Sequence, residues 1–269
     1  MRVLTGLLAV AAVLAGCGAV PGQDAVLGAE AGTVERLGVE VLEVLAHDPA
    51  AFTQGLELAD GVLYEGTGLV GRSSVRAGPP GGEPTVRVDL PPPLFGEGIT
   101  VVGSSVWQLT WKAGIAIERD RATLAERRRA TYRGEGWGLC HQPHRDRLVM
   151  SDGSARLTFR DPRTFAEVGA VTVASPDDGA GRERRGLNEL ECVGDTVYAN
   201  VWQSDRILRI DPDRGAVTAE IDASGLLTPD ERAEADVLNG IAAVPGTDQF
   251  LLTGKLWPSM FRVKLVPSG

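Results

Sequence analysis

The chain has 269 residues, room for one large domain or two small ones, and its 43% hydrophobic and 23% charged content excludes a disordered chain. Lys and Arg number 27 against 36 Asp and Glu, a net charge of -9, which excludes a partner gripped through a phosphate backbone. Gly 34 and Pro 16 make up about 19% of the chain against a usual ~12%, so many short strands joined by turns are expected, and long helical bundles are not.

Met1-Arg2 is a short positive start, followed by an apolar run over residues 3–14 and then Leu14-Ala15-Gly16-Cys17. This is the shape of a secretory signal, and the run is too short to span a bilayer. The small residues before Cys17 resemble a bacterial lipobox, in which the signal is cut off before the Cys and that Cys is acylated. Residues 1–16 are therefore expected to be a signal peptide, Cys17 the lipidation site, residues 17–33 a flexible tether and residues 34–269 the folded domain. Removal of residues 1–16 takes away one Arg and leaves a net charge of -10. The expected location is the outer face of the bacterial cell membrane, with the lipid anchor as the only membrane contact. Cys140 and Cys192 then meet an oxidising compartment, and two readings stand for them: a disulfide, or two separate buried thiols.

The body of the chain repeats. A three-residue motif recurs as Gln54-Gly55-Leu56, Glu97-Gly98-Ile99, Trp137-Gly138-Leu139, Asn188-Glu189-Leu190 and Asn239-Gly240-Ile241, at intervals of 43, 40, 51 and 51 residues. Each copy is followed by a strand-like run, such as Val106-Trp107-Gln108-Leu109 or Val197-Tyr198-Ala199-Asn200-Val201. An alternating third run comes next, as in Arg206-Ile207-Leu208-Arg209-Ile210, and the middle copies carry a fourth, over 168–173 and 217–221. Four strands per 40–50 residues, five times over, predict an all-β, five-bladed β-propeller. The last repeat ends at its third strand, and an orphan strand over residues 39–45 is expected to complete that blade and close the ring.

In a propeller blade the first strand lines the channel and the second returns antiparallel to it. The first motif position and the fifth residue after the start of each second run should therefore share one mouth. That places Gln54, Glu97, Trp137, Asn188 and Asn239 beside Thr67, Trp111, Gly153, Trp202 and Lys255, with Phe52 and Phe95 extending the apolar wall. Aromatic walls around a few convergent polar groups suit a small-ligand site, and a lone carboxylate at Glu97 among them should have a raised pKa. Polar residues that merely satisfy water and backbone in the channel are the plainer reading for any one of them.

Other chemistries find little support. His141-x-x-His144 is a weak metal signal, with Cys140 to Arg147 read as a loop. There is no Gly-x-Ser-x-Gly elbow and no Gly-rich phosphate loop. Ser151-Asp152-Gly153-Ser154 reads as a turn. The basic runs Arg127-Arg128-Arg129 and 182–185 read as solvated loops. Asn188 and Asn239 beside Asp152 could hold a structural calcium or other ion in the channel.

Several segments together resemble the plant-type glutaminyl-peptide cyclotransferases, also called glutamine cyclotransferases. They are Phe52-Thr53-Gln54-Gly55-Leu56, Phe95-Gly96-Glu97-Gly98-Ile99, Gln108-Leu109-Thr110-Trp111-Lys112, Gly134-Glu135-Gly136-Trp137-Gly138-Leu139, Leu187-Asn188-Glu189-Leu190-Glu191, Ala199-Asn200-Val201-Trp202, Leu238-Asn239-Gly240-Ile241 and Leu252-Thr253-Gly254-Lys255-Leu256-Trp257-Pro258. The resemblance runs in order from about Phe52 to Leu265. It implies a five-bladed propeller that converts N-terminal glutamine of peptides or proteins to pyroglutamate with loss of ammonia, acting as a monomer without a required metal. It implies Glu97 as the proton shuttle, Gln54, Asn188 and Lys255 as substrate-orienting groups, and Phe52, Phe95, Trp111, Trp137 and Trp202 as the pocket. A non-catalytic surface propeller that binds peptides or partner proteins is the alternative.

Overall fold

The computed structural model describes Met1, residues 33–176 and residues 181–268. The expected leader, Cys17 and the tether lie outside the described residues, save for Met1 and Thr33. The described chain is all-β apart from a 3-10 turn and one short helix, α1 (Pro229–Glu234). Thr228 and Glu231 cap α1 reciprocally, each side chain meeting the other's backbone N–H. No helix among the described residues is long and apolar enough to cross a membrane.

The strand-like runs of the sequence become antiparallel four-stranded sheets. The first sheet is β2 (Thr53–Ala59), β3 (Val62–Thr67), β4 (Ser74–Gly78) and β5 (Val86–Asp89); β1 (Glu35–Ala46) precedes it in the chain. The second is β6 (Gly96–Val102), β7 (Ser105–Thr110), β8 (Ile115–Asp120) and β9 (Glu126–Thr131). The third is β10 (Leu139–Gln142), β11 (Arg147–Ser151), β12 (Arg156–Arg160) and β13 (Glu167–Thr172). A small pair, β14 (Ala174–Ser175) with β15 (Arg182–Glu183), leads into β16 (Leu187–Val193), β17 (Thr196–Val201), β18 (Arg206–Asp211) and β19 (Ala216–Asp222). The last strands are β20 (Leu238–Ala243), β21 (Gln249–Gly254) and β22 (Ser259–Pro267).

β1 is the orphan strand. From Leu37 to Ala46 it pairs antiparallel with β22, as the fourth strand of the group with β20 and β21. Its first four residues, Glu35 to Gly38, also pair in parallel with β19, joining the two groups at their outer edges. The first described strand thus fastens the last one, and two open sheet edges are removed.

The core lies between successive groups of strands. Tyr64 and Val75 of the first sheet pack with Ile99 and Val106 of the second, and Trp107 and Leu109 with Leu148 and Phe165 of the third. Val149 and Leu157 meet Leu190 and Leu208, Ile207 and Ile221 meet Leu252 and Phe261, and Leu251 and Met260 return to Leu56 and Leu63. The first strands also touch in a circle, β2 with β6, β6 with β10, β10 with β16, β16 with β20 and β20 with β2. The architecture is propeller-like.

Glycine at the second motif position permits that circle. A Cβ on Gly98 would stand 2.6 Å from the carbonyl oxygen of Trp137, and one on Gly55 would stand 2.5 Å from the backbone nitrogen of Ile99. Glu189 occupies the same motif position in the fourth repeat, fully buried. Its carboxylate accepts from the backbone N–H groups of Leu56 at 3.2 Å and Ile241 at 2.9 Å, which ties β16 to β2 and β20.

Two local expectations are corrected. Cys140 and His141 lie in strand β10, which pairs with β11 from Leu139 to Gln142, and the chain turns only over residues 143–146. Arg127-Arg128-Arg129 is part of strand β9, whose exposed arginines pair with Asp120, Glu118 and Glu126, and the second basic run opens with strand β15, leaving only Arg184 and Arg185 in a connection. Cys140 and Cys192 form a disulfide, with Cα atoms 5.4 Å apart, linking β10 to its neighbour β16.

Candidate active site

Four first strands carry a register shift at the motif: between Thr53 and Gly55, Gly96 and Ile99, Leu187 and Leu190, and Leu238 and Ile241. Such bulges re-aim side chains. They turn Gln54, Glu97, Asn188 and Asn239 off the regular pleat at one end of the channel.

All nine residues expected at the catalytic and substrate-binding site converge. Phe52, Gln54, Phe95, Glu97, Trp111, Trp137, Asn188, Trp202 and Lys255 line one cavity of about 260 Å³, together with Leu69. Leu69 was not legible from the motif count; it stands in the β3–β4 connection with a left-handed φ of +80°. The second-strand position needs adjustment in two repeats. The N–H of Trp111 donates to Phe95, that of Trp202 to Gly186 and that of Lys255 to Val237, and in the first repeat the matching donor is Gly68 to Phe52, not Thr67. Neither Thr67 nor Gly153 lines the cavity. Both glycines make room for its walls. A Cβ on Gly68 would lie 2.4 Å from the Phe95 ring, and one on Gly153, at φ +79°, 2.6 Å from the Trp137 ring.

The aromatic wall is continuous by contact. Phe52 meets Phe95 edge-on with centroids 6.2 Å apart, and Phe95 meets Trp111 at 5.5 Å. Trp137 meets Trp202 edge-on at 5.5 Å. Between these two sets the indole N–H groups of Trp111 and Trp137 both donate to Glu135 Oε2, at 2.7 and 2.9 Å. Lys255 Nζ lies 4.8 Å from the centre of the Phe52 ring. Trp202 is 45% exposed and forms the rim, while Glu97 at 4% and Lys255 at 6% are deep.

A polar chain runs behind Glu97. Asn239 Nδ2 donates to the Thr53 carbonyl at 3.0 Å and to Gln54 Oε1 at 3.1 Å, and Gln54 Nε2 donates to Glu97 Oε1 at 3.2 Å. The Thr53 carbonyl can only accept, so it fixes the sense of the whole chain. Burial pushes the Glu97 carboxyl well above the usual carboxylate range; the Lys255 charge opposes this and the Glu135 charge adds to it. Burial likewise pushes Lys255 below the usual lysine range, against the pull of Glu97. A carboxyl and an amine that are both held toward their neutral forms can exchange protons with a ligand near neutral pH.

Of the residues considered for an ion, Asn239 keeps its Oδ1 buried without a hydrogen-bond partner among the described residues. Asn188 lines the aromatic cavity, Asn239 holds Gln54, and Asp152 Oδ1 accepts from the backbone and hydroxyl of Ser154. Among the described residues no three His, Cys, Asp or Glu stand together as a metal site. A larger cavity of about 520 Å³ opens beside His47, Glu65 and Arg76, but these groups are spent on one another: Arg76 reaches Glu65 at 2.7 Å and Asp48 at 2.6 Å, and His47 reaches Glu65 at 3.2 Å.

The sequence model of the glutamine cyclotransferase family matches residues 8–265. Over 234 residues the chain is 38% identical to a glutaminyl-peptide cyclotransferase of Arabidopsis thaliana, covering 84% of this chain and 71% of that one. Its fold is similar to the crystal structure of Myxococcus xanthus glutaminyl cyclase, with a TM-score of 0.77, 37% identity, and coverage of 88% of this chain and 100% of the other. From the bulged motif strands to the cavity they build, the chain belongs to the glutamine cyclotransferase family.

Proposed function

We propose that this protein is a glutaminyl-peptide cyclotransferase that closes the N-terminal glutamine of peptides or proteins to pyroglutamate and releases ammonia. The observation that carries this reading is a buried carboxyl, Glu97, deep in an aromatic cavity of about 260 Å³, in a chain of this family.

The reaction joins two groups of the same residue, so the site mainly holds the ring-forming conformer and moves protons. The α-amine nitrogen attacks the side-chain amide carbon, and the ring C–N bond forms. Glu97 takes a proton from that amine and returns one to the amide nitrogen. The old C–N bond breaks and ammonia departs. Asn188 and Lys255 orient the amide and oppose negative charge on its oxygen as the carbon becomes tetrahedral. Gln54 orients the substrate amide through its contact with Glu97. Phe52, Phe95, Trp111, Trp137 and Trp202 exclude water and select a short side chain. Side chains carry the protons that accompany C–N bond formation and cleavage; an ion in the channel would be structural.

The same reading takes the strand groups as five blades closed by β1. Its support is the circle of first strands and the apolar clusters between successive groups. It takes residues 1–16 as a signal peptide and Cys17 as a lipid anchor on the outer face of the cell membrane, with a monomeric domain on a tether. A Cys140–Cys192 bond suits an exported protein.

Glu97→Gln tests the assignment. Turnover should fall by about 10²- to 10⁴-fold while peptide affinity stays nearly unchanged. Undiminished turnover would remove Glu97 from its role. A wild-type domain that binds such peptides and never cyclises them would be a binding propeller.

A further inference from the structure

The nine residues that line the proposed site leave Glu135 outside it, yet Glu135 holds two of its walls. It lies in the connection between β9 and β10, two residues before Trp137. One oxygen, Oε2, accepts the indole N–H of Trp111 at 2.7 Å and of Trp137 at 2.9 Å. The other, Oε1, is 3.7 Å from Lys112 Nζ, and that ammonium sits 4.0 Å over the Trp111 ring. A carboxylate oxygen has two lone pairs, so one atom can satisfy both indoles. The two tryptophans belong to different sheets: Trp111 follows β7 and Trp137 precedes β10. On one side Trp111 packs on Phe95; on the other Trp137 packs on Trp202.

We propose that Glu135 is a positioning residue of the cyclisation site, a clamp that joins Phe95–Trp111 to Trp137–Trp202 through one carboxylate oxygen. This rests on the cyclotransferase reading for its catalytic consequence, though the clamp itself does not. Without it, each indole N–H would seek water at the cavity mouth, and the walls would lose their common anchor. The charged groups that bear on Glu97 are Lys255 and Glu135, and Tyr132 also lies within its electrostatic reach. Lys255 favours the ionised form of Glu97 and Glu135 opposes it.

Two substitutions separate clamping from charge. Glu135→Ala removes both, and Glu135→Gln keeps an accepting oxygen while removing the charge. With a free N-terminal glutamine peptide, Glu135→Ala should raise KM by about tenfold, with a smaller change in kcat. Glu135→Gln should recover most of the KM and move the acid limb of kcat to lower pH, because the charge opposing Glu97 ionisation is gone. In the folded protein, hydrogen exchange at the indole N–H groups of Trp111 and Trp137 should be slow in wild type and in Glu135→Gln, and fast in Glu135→Ala. Unchanged KM and pH limb in both variants of an active enzyme would overturn the positioning role. Indole exchange that is fast in wild type, or equally slow in Glu135→Ala, would overturn the clamp whether or not the protein cyclises glutamine. Absence of cyclisation by wild type with the exchange pattern as expected would strike the cyclotransferase reading instead and leave the clamp standing. If Glu135→Ala does not fold, the kcat limb of Glu135→Gln decides, and an unmoved limb would overturn the charge role.

Discussion

Gln54 gives its amide N–H to Glu97 Oε1 at 3.2 Å, and it can do so only because Asn239 has already turned the Gln54 oxygen the other way. The donor reaches one carboxyl oxygen whether or not Glu97 carries a proton, which leaves the second oxygen to face the substrate. Gln54→Leu should therefore lower kcat by ~10- to 100-fold, more than it alters KM. Steady-state kinetics on a glutaminyl peptide check this; a change confined to KM would show that Gln54 serves only to bind.

Lys255 governs the pH profile through Glu97. Its charge favours ionised Glu97, against burial. If Glu97 must accept a proton from the amine, activity rises as pH climbs through the Glu97 pKa, and that limb lies well above the ordinary carboxylate range. Lys255→Met removes the favourable charge, so the limb of kcat should move to higher pH, opposite in sign to the shift expected for Glu135→Gln. A limb that stays in place on loss of Lys255 would contradict this coupling.

Stability should fall as pH rises from 5 to 8. Burial pushes Glu57 up to about 7, and Glu189 and Glu191 are also raised by burial. A carboxyl raised above its unfolded pKa binds more protons when folded, so its contribution is full below about pH 4.5 and is lost as pH climbs through the folded value. His47 is raised as well, by Glu65 against its own burial, and its contribution is lost on the same side. His141, lowered chiefly by burial, works in the opposite sense. Glu65, brought down to about 2 by His47 and Arg76 despite its burial, stabilises above about pH 4.5 and loses that effect only toward pH 2. Urea midpoints at pH 5 and pH 8 measure the trend. In Glu57→Gln the difference should shrink by at most about 3 kcal/mol. A midpoint that rises from pH 5 to 8 would contradict the account.

The Cys140–Cys192 bond closes a loop of 52 residues between adjacent first strands. Loop-closure entropy for that length is worth about 4 kcal/mol, within the usual ~2–5. A Cys140→Ser, Cys192→Ser double variant should lose stability of that order in denaturant titration, and an unchanged midpoint would contradict the contribution.

The strand runs and the residues that meet at the cavity were legible because the motif recurs and side chains alternate on strands. Gln54 and Glu97 could be placed by counting. Thr67 falls one residue short of the cavity, since Gly68 is the residue that bonds Phe52, and Gly153 has no side chain to project and lies against the Trp137 ring instead. Glu189 looked like one more motif residue, yet its buried carboxylate ties three first strands together, a role that depends on distances across the channel. Leu69 and Glu135 carry no periodic signal, since both sit in connections whose path is set by packing. Sequence leaves Cys140 and Cys192 open between a bond and two thiols, because only the placement of β10 beside β16 sets their distance.

The most direct test of the central claim is ammonia release by the domain beginning after Cys17, given a short peptide with a free N-terminal glutamine and the same peptide with its α-amine blocked. The account predicts enzymatic release from the free peptide alone, with a pyroglutamyl product. Release from both peptides would mean simple amide hydrolysis, and no release above the spontaneous rate from a folded sample would contradict the cyclotransferase reading.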